Sequence, residues 1–458
     1  MQFATINPAN GEILRRYPEH TGEQIEDALA QAHQAQRSWR LTSMDVRASV
    51  FNRTASLLRE RQRSLAELIS MEMGKPFKES LAEVEKCAWG AEYYAERGPG
   101  YLEDRAVESG DRKSYVTLQP LGLILAVMPW NFPLWQALRA AIPALMAGNG
   151  MVLKHAPNVP GCALAVKDVL ESAGLPEGLF ANLFIDNETT GALLGDRRVQ
   201  AVTLTGSTEA GKAVGALAGS EIKTCVLELG GSDPYVVLED ANVGEAVEAC
   251  VTSRIINSGQ SCIAAKRLIV HKQIAEEFTT QVVARMGAVR VGDPMAEHTD
   301  VGPLAREDLR DKLADQVDRS IKAGARCLLG GQIPDNPGWY YPTTVLTDVQ
   351  PGMPAWDEEL FGPVSTIITV DSEEEALRVA NDTQYGLGAA VFTQDEERGE
   401  RIARTGLEAG SCFVNGFVHS DPRLPFGGVK ASGFGRELSD YGIREFVNVK
   451  TIVVEARP

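Results

Sequence analysis

The sequence is poor in cysteine, has no long apolar run and carries no excess of positive charge. Its seven cysteines lie far apart and form no Cys-x-x-Cys pair, which is typical of reduced thiols and not of a disulfide framework. The formal net charge is -17, so basic residues are too few to neutralise nucleic-acid phosphates. A small anionic substrate remains compatible with this charge, because one local arginine can outweigh the global field.

Signals for targeting, membrane insertion and metal binding are also missing. The first residues show no basic start followed by an apolar core, so we expect no signal peptide. The most apolar stretch, LGLILAVMPW, is too short to cross a bilayer and contains Pro129. The six histidines lack the spacing of metal ligands. We therefore expect a cytoplasmic protein that binds no metal, membrane or nucleic acid.

Short apolar runs and helix-period segments alternate along most of the chain. Its 458 residues are enough for two or three domains. Between residues 121 and 229 this alternation predicts a parallel sheet with helices on both faces. A second series between residues 234 and 415 predicts another α/β domain, with the boundary near Gly230 and Gly231.

The first hundred residues are predicted to be mainly helical. Thr21 and Gln24 form a capping box before an apolar series. A longer periodic stretch runs from Met44 to Met73 and stops at Gly74. We therefore expect helices to precede the first sheet.

Two extended segments, SYVTLQP at 114–120 and EFVNVKTIVVE at 445–455, stand apart from both series. Each would leave an unpaired edge on an isolated subunit, and proteins usually cover or pair such edges. The pattern fits an oligomerisation arm and fits equally well two edge strands packed within one chain.

The stretch TLTGSTEAGKAVG at 203–215 comes close to a phosphate-binding P-loop. The residue after Lys212 is Ala213, which lacks the hydroxyl that a P-loop uses to hold magnesium. One interpretation is a different nucleotide site at a strand-to-helix junction, where N–H groups and the helix dipole favour phosphate. The other is a helix N-terminus that Ser207 or Thr208 caps, with glycines easing the packing on the sheet.

Further motifs resolve this choice. In chain order they are MPWNFPLW at 128–135, LELGGSDP at 227–234, NSGQSCIAAKR at 257–267, EELFGPV at 358–364 and PFGGVKASGFGRE at 425–437. Together they resemble the aldehyde dehydrogenase superfamily, and the resemblance extends from INPANGE to NVKTI. The stretch at 203–215 is then similar to the dinucleotide-binding turn of that family.

The resemblance implies an α/β fold with two three-layer domains and a small β-arm for oligomerisation. The Rossmann-type dinucleotide-binding domain would comprise residues 1–101 and 121–229. The catalytic domain would comprise 230–432, and the arm 102–120 and 433–458. A homodimer or homotetramer is expected.

The resemblance also implies a catalytic cysteine, Cys262. A thiolate that adds to an aldehyde gives a thiohemiacetal, which can release a hydride to nicotinamide and leave a thioester for water to cleave. Cys225 and Cys250 fit small buried apolar residues, whereas Cys262 lies in a polar turn. Glu228 would be the general base for the water, and Asn131 would stabilise the oxyanion together with the Cys262 N–H.

The family pattern places a NAD or NADP site on eight residues. Gly206 and Ser207 would face the pyrophosphate, Lys154 the adenosine ribose and Glu359 the nicotinamide ribose. Many NAD-preferring relatives carry a glutamate where this chain has Pro157, so NADP is not disfavoured here. The full predicted set is Trp130, Lys154, Pro157, Gly206, Ser207, Leu229, Glu359 and Phe361.

Within the superfamily the chain is most similar to short bacterial succinate-semialdehyde dehydrogenases. Arg139, eight positions after Asn131, occupies the position where those enzymes bind the substrate carboxylate. Ile256 stands where some of them place a second arginine, and Ser420 and Arg423 are candidates to replace it.

Three alternatives remain at this point. The substrate could be another short aldehyde, such as glutarate semialdehyde or an uncharged one. The acyl group could be transferred to coenzyme A, although Glu228 argues against a step that omits water. A nucleotide-binding protein without turnover is the third, and it would leave the combination of Cys262, Glu228 and Asn131 unexplained.

Overall fold

The computed structural model describes residues 3–110 and 112–455. The chain begins with a hairpin and four helices: β1 (Phe3–Ile6), β2 (Ile13–Tyr17), α1 (Gly22–Trp39), α2 (Met44–Glu60), α3 (Gln62–Met73) and α4 (Phe77–Tyr101). The predicted capping box of Thr21 and Gln24 is present at the start of α1. The hairpin was not predicted, because β2 is almost wholly exposed and shows no apolar alternation.

The periodic stretch predicted from Met44 to Met73 consists of two helices. They are separated at Arg61, whose backbone leaves the helical region at φ -100° and ψ 12°. Helix α3 ends at Gly74, whose φ of 77° lies in the left-handed region that glycine adopts without strain. The predicted stop at this glycine is thus confirmed.

The middle of the chain alternates strands and helices as the apolar pattern predicts. The elements are β3 (Arg105–Ser109), β4 (Arg112–Pro120), β5 (Leu123–Met128), α5 (Pro133–Met146), β6 (Gly150–His155), α6 (Pro160–Ser172), β7 (Phe180–Asn182), α7 (Asn187–Gly195), β8 (Val199–Thr205), α8 (Thr208–Ser220) and β9 (Thr224–Glu228).

The remaining elements build a second sheet and return the chain to the first. They are β10 (Pro234–Val237), α9 (Val243–Ile255), β11 (Arg267–His271), α10 (Lys272–Gly287), α11 (Glu307–Lys322), β12 (Arg326–Leu329), β13 (Thr344–Thr347), α12 (Pro354–Asp357), β14 (Val364–Val370), α13 (Glu373–Asn381), β15 (Gly388–Phe392), α14 (Glu396–Thr405), β16 (Ser411–Val414), β17 (Gly433–Phe434), α15 (Ser439–Arg444) and β18 (Val447–Val454).

Two largely parallel sheets organise the molecule. The first has the order β17-β9-β8-β5-β6-β7 and the second β12-β13-β14-β11-β10-β15-β16. Within residues 3–110 and 112–455, the antiparallel pairs of these two sheets occur only at their edges, between β17 and β9 and between β12 and β13. In the first sheet the connections leave β5 and β8 in opposite directions, so a crevice forms between the carboxyl ends of these neighbouring strands. The predicted α/β fold is confirmed.

The two extended segments pair with each other in one chain. Strand β18 is antiparallel to β4 from the pair Val447–Pro120 to the pair Val454–Lys113, and β3 completes a three-stranded sheet. The second arm segment had been expected to begin at residue 433. The arm strand itself begins at Val447, because β17 joins the first sheet and α15 packs against α4 and α5.

Helix α5 lies at the centre of the largest apolar core. Every one of its residues is buried, and α4 and α6 pack against it. Such a helix holds the loop before it in a fixed position, and that loop contains Asn131.

Over the described residues, no helix is long and apolar enough to cross a membrane. In the same part of the chain, no group of three or more histidine, cysteine, aspartate or glutamate side chains could hold a metal ion. All seven cysteines are free thiols.

Candidate active site

A cavity of about 380 Å³ lies at the crevice beyond the carboxyl ends of β5, β8 and β9. Ligands of open α/β sheets bind at this place in the topology. Eight of the residues predicted for catalysis or cofactor binding line the cavity: Trp130, Asn131, Gly206, Ser207, Leu229, Cys262, Glu359 and Phe361.

The turn at Gly206 and Ser207 fits both interpretations of the sequence, a capped helix N-terminus and a nucleotide site. Ser207 caps α8, because its side chain accepts a hydrogen bond from the N–H of Ala210 at 3.2 Å. A Cβ on Gly211 would lie 2.4 Å from a methyl carbon of Leu229, so this glycine lets α8 approach the sheet. The capped helix end and the cavity wall are therefore the same structure, and its use for phosphate stays a prediction.

Glu359 and Phe361 form another part of the cavity wall. Glu359 Oε1 accepts the Gly231 N–H at 3.1 Å and lies 3.3 Å from Lys266 Nζ. A Cβ on Gly230 would lie 2.5 Å from Glu359 Oε2, so only glycine leaves room for this carboxylate. The Phe361 ring meets the Trp130 ring edge-on, with 5.8 Å between ring centroids.

Lys154 lies near the carboxyl end of β6, and Pro157 follows that strand. The Lys154 ammonium is 3.5 Å from Asn187 Oδ1, and burial lowers the pKa of Lys154 against the opposing charge of Asp186. On the neighbouring strand, the buried amide of Asn182 has no hydrogen-bond partner within the described residues. The unsatisfied Asn182 amide fits a hydroxyl-rich ligand such as an adenosine ribose.

Cys262 follows a turn with unusual backbone angles. Asn257 and Ser258 both have φ of 56°, in the left-handed region that residues with a side chain seldom adopt. The buried Lys266 ammonium donates to the backbone oxygens of Ser261 at 2.9 Å and Cys262 at 2.7 Å. These bonds hold the turn in place beside the cavity.

The Asn131 side chain lies against the same turn. Its Nδ2 donates to the Gln260 backbone oxygen at 3.1 Å, and Asn257 Nδ2 donates to the Asn131 backbone oxygen at 2.7 Å. The predicted oxyanion amide and the segment that carries the predicted nucleophile are thus directly connected.

Burial shifts the pKa of both predicted catalytic groups upward. It raises the pKa of the Cys262 thiol to about 12, and the charges of Lys266 and Arg139 oppose the shift. Burial and then the Glu437 carboxylate raise the pKa of Glu228 well above its usual value. Both Glu228 carboxylate oxygens lack a hydrogen-bond partner in the part of the chain described. A buried, unpaired carboxyl of this kind suits a general base that works near neutral pH.

Arg139 is buried and already has a carboxylate partner. Its Nε lies 2.5 Å from Glu437 Oε2, its Nη2 donates to Thr205 at 3.4 Å, and its guanidinium stands 5.0 Å from the centre of the Phe426 ring. The prediction that Arg139 binds the substrate carboxylate is not tested by this geometry and stays a prediction. Glu437 lies within the motif PFGGVKASGFGRE, but no role was predicted for it from the sequence.

Ser420 and Arg423 have different environments. The Ser420 hydroxyl accepts a hydrogen bond from Lys86 Nζ at 2.7 Å. Arg423 forms two bonds to Asp421, at 2.9 and 2.6 Å, and its side chain is largely exposed. Lys86 was not predicted from the sequence, because a single lysine in a long helix carries no signal before its neighbours are known.

Known proteins with a similar sequence or structure carry related activities. The succinate-semialdehyde dehydrogenase [NADP(+)] 1 of Mycobacterium tuberculosis is 50% identical over 455 residues, which is 99% of each chain. The succinate semialdehyde dehydrogenase [NAD(P)+] of Escherichia coli is 48% identical over 98% of this chain and 97% of its own. The crystal structure of the succinic semialdehyde dehydrogenase of Streptococcus pyogenes with NADP+ has a TM-score of 0.97 and 36% identity, covering 99% of this chain and 100% of that one.

The family comparison agrees with the architecture and with the order of the motifs. The model of the aldehyde dehydrogenase family matches residues 1–452, which is almost the entire chain. This protein belongs to the aldehyde dehydrogenase family.

Proposed function

We propose that this protein oxidises succinate semialdehyde to succinate with NAD or NADP as the hydride acceptor. The observation that carries the proposal is the position of Cys262, Asn131 and Glu359 on one cavity at the crevice of the first sheet. Support also comes from relatives that share about half of this sequence and are named for this reaction.

In the proposed reaction Cys262 forms a bond to the aldehyde carbon. Its thiol first gives its proton to water, and the carbonyl oxygen becomes an oxyanion that the Asn131 amide and the Cys262 N–H stabilise. A bound nicotinamide would supply the acceptor for the hydride that leaves this thiohemiacetal, and Cys262 would keep the acyl group as a thioester.

Hydrolysis then completes the turnover. Glu228 accepts a proton from water, the water oxygen bonds to the thioester carbon, and the Cys262 sulfur leaves as a thiolate. The raised pKa of Glu228 supports this role, since a carboxyl with an ordinary pKa is a weak base at neutral pH. Water activation is also the reason why we favour hydrolysis over transfer to coenzyme A.

For the cofactor we propose the eight residues that the family pattern predicts. Ser207 and Gly206 would receive the pyrophosphate at the start of α8, and Glu359 the nicotinamide ribose. Lys154 would meet the adenosine ribose, where Pro157 provides no negative charge to repel a 2′-phosphate. The two relatives whose names give NADP(+) and NAD(P)+ support use of both cofactors.

One observation favours a second candidate function. Arg139 forms an ion pair with Glu437, so the Glu437 carboxylate competes with a substrate carboxylate for the Arg139 guanidinium. An aldehyde dehydrogenase for a short uncharged aldehyde is therefore the alternative.

The deciding experiment compares initial rates of reduced-cofactor formation with succinate semialdehyde and with butanal, each with NAD and NADP. A preference of about tenfold or more in kcat/KM for the charged aldehyde, about 1.4 kcal/mol, supports the proposal. Equal efficiencies would leave an aldehyde dehydrogenase with another substrate. Absence of turnover with either aldehyde would overturn both candidates.

We also propose an assembly and a location. Val449 and Val453 on the arm strand β18 expose 66% and 47% of their surface, which supports pairing with a second copy of the chain as a dimer or tetramer. The seven free thiols support a reducing compartment, the cytoplasm.

A further inference from the structure

Lys86 is a cation without a counter-ion beside the catalytic residues. It lies on α4, donates to the Ser420 hydroxyl at 2.7 Å, and holds its ammonium 4.9 Å from the centre of the Trp135 ring. Among the residues that the structure describes, no carboxylate oxygen lies within 4.0 Å of Lys86 Nζ, since none forms an ion pair with it.

Four other cations of this region have acidic partners. Arg139 pairs with Glu437, and the remaining pairs are Lys75 with Glu83, Lys266 with Glu359, and Arg423 with Asp421. A partly buried ammonium that has lost hydration water and forms no ion pair with a carboxylate has an unfavourable free energy. Binding of an anion would offset this cost.

Lys86 also lies near Arg139, which acts electrostatically on the predicted nucleophile. The Lys86 ammonium lies over the ring of Trp135. Trp135 is one helical turn before Arg139 on α5 and four residues after Asn131. The charge of Arg139 acts on the pKa of both Lys86 and Cys262. In addition, Ser420 belongs to the same loop as Phe426, whose ring packs on Arg139. Helix α4, helix α5 and this loop therefore converge around Lys86 and Arg139.

This place is separate from the cofactor cavity. Lys86, Trp135 and Ser420 do not line that cavity, whereas Asn131 and Cys262 do. A substrate whose aldehyde carbon meets Cys262 can thus extend toward Lys86 without competing with the nucleotide.

We propose that Lys86, with the hydroxyl of Ser420, binds the distal carboxylate of the aldehyde substrate. The proposal rests on the proposed function and deepens it by naming the residue that selects a charged aldehyde. Arg139 then has a different role, because it compensates Glu437 and so sets the charge around Glu228. The negative net charge of the chain makes a dedicated local cation necessary for an anionic substrate.

The test measures the ratio of kcat/KM for succinate semialdehyde to that for butanal. Lys86→Gln should lower this ratio about tenfold or more, mainly through a higher KM for the charged aldehyde, and Lys86→Arg should retain most of it. The matched control is Lys78→Gln, which removes an exposed lysine from the same helix and should leave the ratio unchanged. Succinate, which carries the same carboxylate, should protect Cys262 from alkylation less well in Lys86→Gln than in the parent protein.

A second readout uses pH. Burial and the charge of Arg139 lower the pKa of Lys86 to about 8, with Cys87 and Glu83 on α4 and Asp421 in the loop opposing the shift. Loss of this charge should weaken binding of the charged aldehyde above about pH 8, and Lys86→Arg, which stays protonated, should abolish that decline.

The outcomes separate the two proposals. If the parent protein prefers the charged aldehyde and Lys86→Gln keeps the same ratio and the same protection by succinate, the role of Lys86 is refuted and the proposed function stands. If the parent protein shows no preference for the charged aldehyde, the proposed substrate fails first.

Discussion

At the scale of single residues, three charged side chains share one buried site. Glu228 and Glu437 are both buried, and the positive charge of Arg139 acts on both, while that of Arg436 also acts on Glu228. Burial raises the pKa of both carboxyls, and the negative charge of Glu437 raises that of Glu228 further. Because Glu437 forms the ion pair, Glu228 is the carboxyl that retains its proton to higher pH.

The raised pKa of Glu228 gives a testable pH dependence. A base with a raised pKa becomes active only as pH rises through that value, so kcat should increase with pH when hydrolysis limits the rate. Glu228→Gln should still form about one reduced cofactor per site in the first turnover and then slow by about a hundredfold or more. Stopped-flow absorbance at the reduced-nicotinamide band measures the burst. Loss of the burst itself would instead assign Glu228 to activation of the thiol.

Pro157 gives a second prediction, about the choice of cofactor. A glutamate at this position would place a negative charge beside the ribose that Lys154 is proposed to meet, and it would repel a 2′-phosphate. Pro157→Glu should therefore reduce kcat/KM for NADP by about tenfold or more while it affects NAD much less. Pro157→Gln, which has the same size and no charge, is the control. An equal loss of kcat/KM with both cofactors would show that Pro157 does not lie beside the adenosine ribose.

At the scale of elements, the start of α5 depends on an acidic residue from α4. Glu83 Oε1 accepts the N–H groups of Leu134 and Trp135 at 2.9 and 3.0 Å, and its other oxygen pairs with the buried Lys75. The side chain thus replaces the usual helix cap that Phe132 cannot supply. It also fixes the position of α5, which follows directly after Asn131.

Removal of Glu83 should destabilise the protein strongly. Glu83→Ala leaves the Lys75 ammonium buried without a partner, which costs about 3–5 kcal/mol in free energy of unfolding. The matched control is Glu85→Ala on the same helix, whose exposed pair with Arg59 should contribute less than about 1 kcal/mol. Urea denaturation measures both variants. Similar midpoints for the two would refute the structural role of the buried pair, and a double change to Lys75→Met and Glu83→Leu should recover part of the loss.

The turn before Cys262 is another element that depends on its surroundings. Two successive residues with side chains, Asn257 and Ser258, adopt left-handed angles, and such strain costs on the order of 1–3 kcal/mol each. The Asn257 N–H donates to Glu79, and the Ser258 hydroxyl accepts from the Gly302 N–H at 2.9 Å. Contacts from two distant parts of the chain therefore offset the strain and keep the proposed nucleophile, Cys262, in one position.

At the scale of the whole molecule, the arm sheet carries exposed valines away from both main sheets. If β18 pairs with a second copy of the chain, Val449→Lys with Val453→Lys should shift the protein toward the monomer, because lysines on an exposed strand oppose pairing. Light scattering after size-exclusion chromatography measures the mass. The control is Leu41→Lys, which replaces a similarly exposed apolar side chain outside the arm. An unchanged mass would exclude the arm from the interface.

The sequence by itself determined the alternation of strands and helices in the two main sheets and eight of the residues that line the cavity. Strand β5 is a continuous apolar run, α3 ends at the only kind of residue that suits its left-handed cap, and Cys262 and Glu228 occur in recognisable local motifs. Each of these signals is local, so it can be read within a few neighbouring residues.

Only the tertiary structure decided which charges meet. Arg139 and Glu437 belong to separate motifs, and Lys86 and Ser420 are 334 residues apart, so no periodicity or spacing connects them. Whether a buried cation is neutralised or left free for an anion depends on the side chains that packing brings within a few ångströms. The local sequence therefore predicted Cys262 as the nucleophile, whereas the folding of distant segments onto each other paired Arg139 with Glu437 and, among the described residues, left Lys86 without an ion pair.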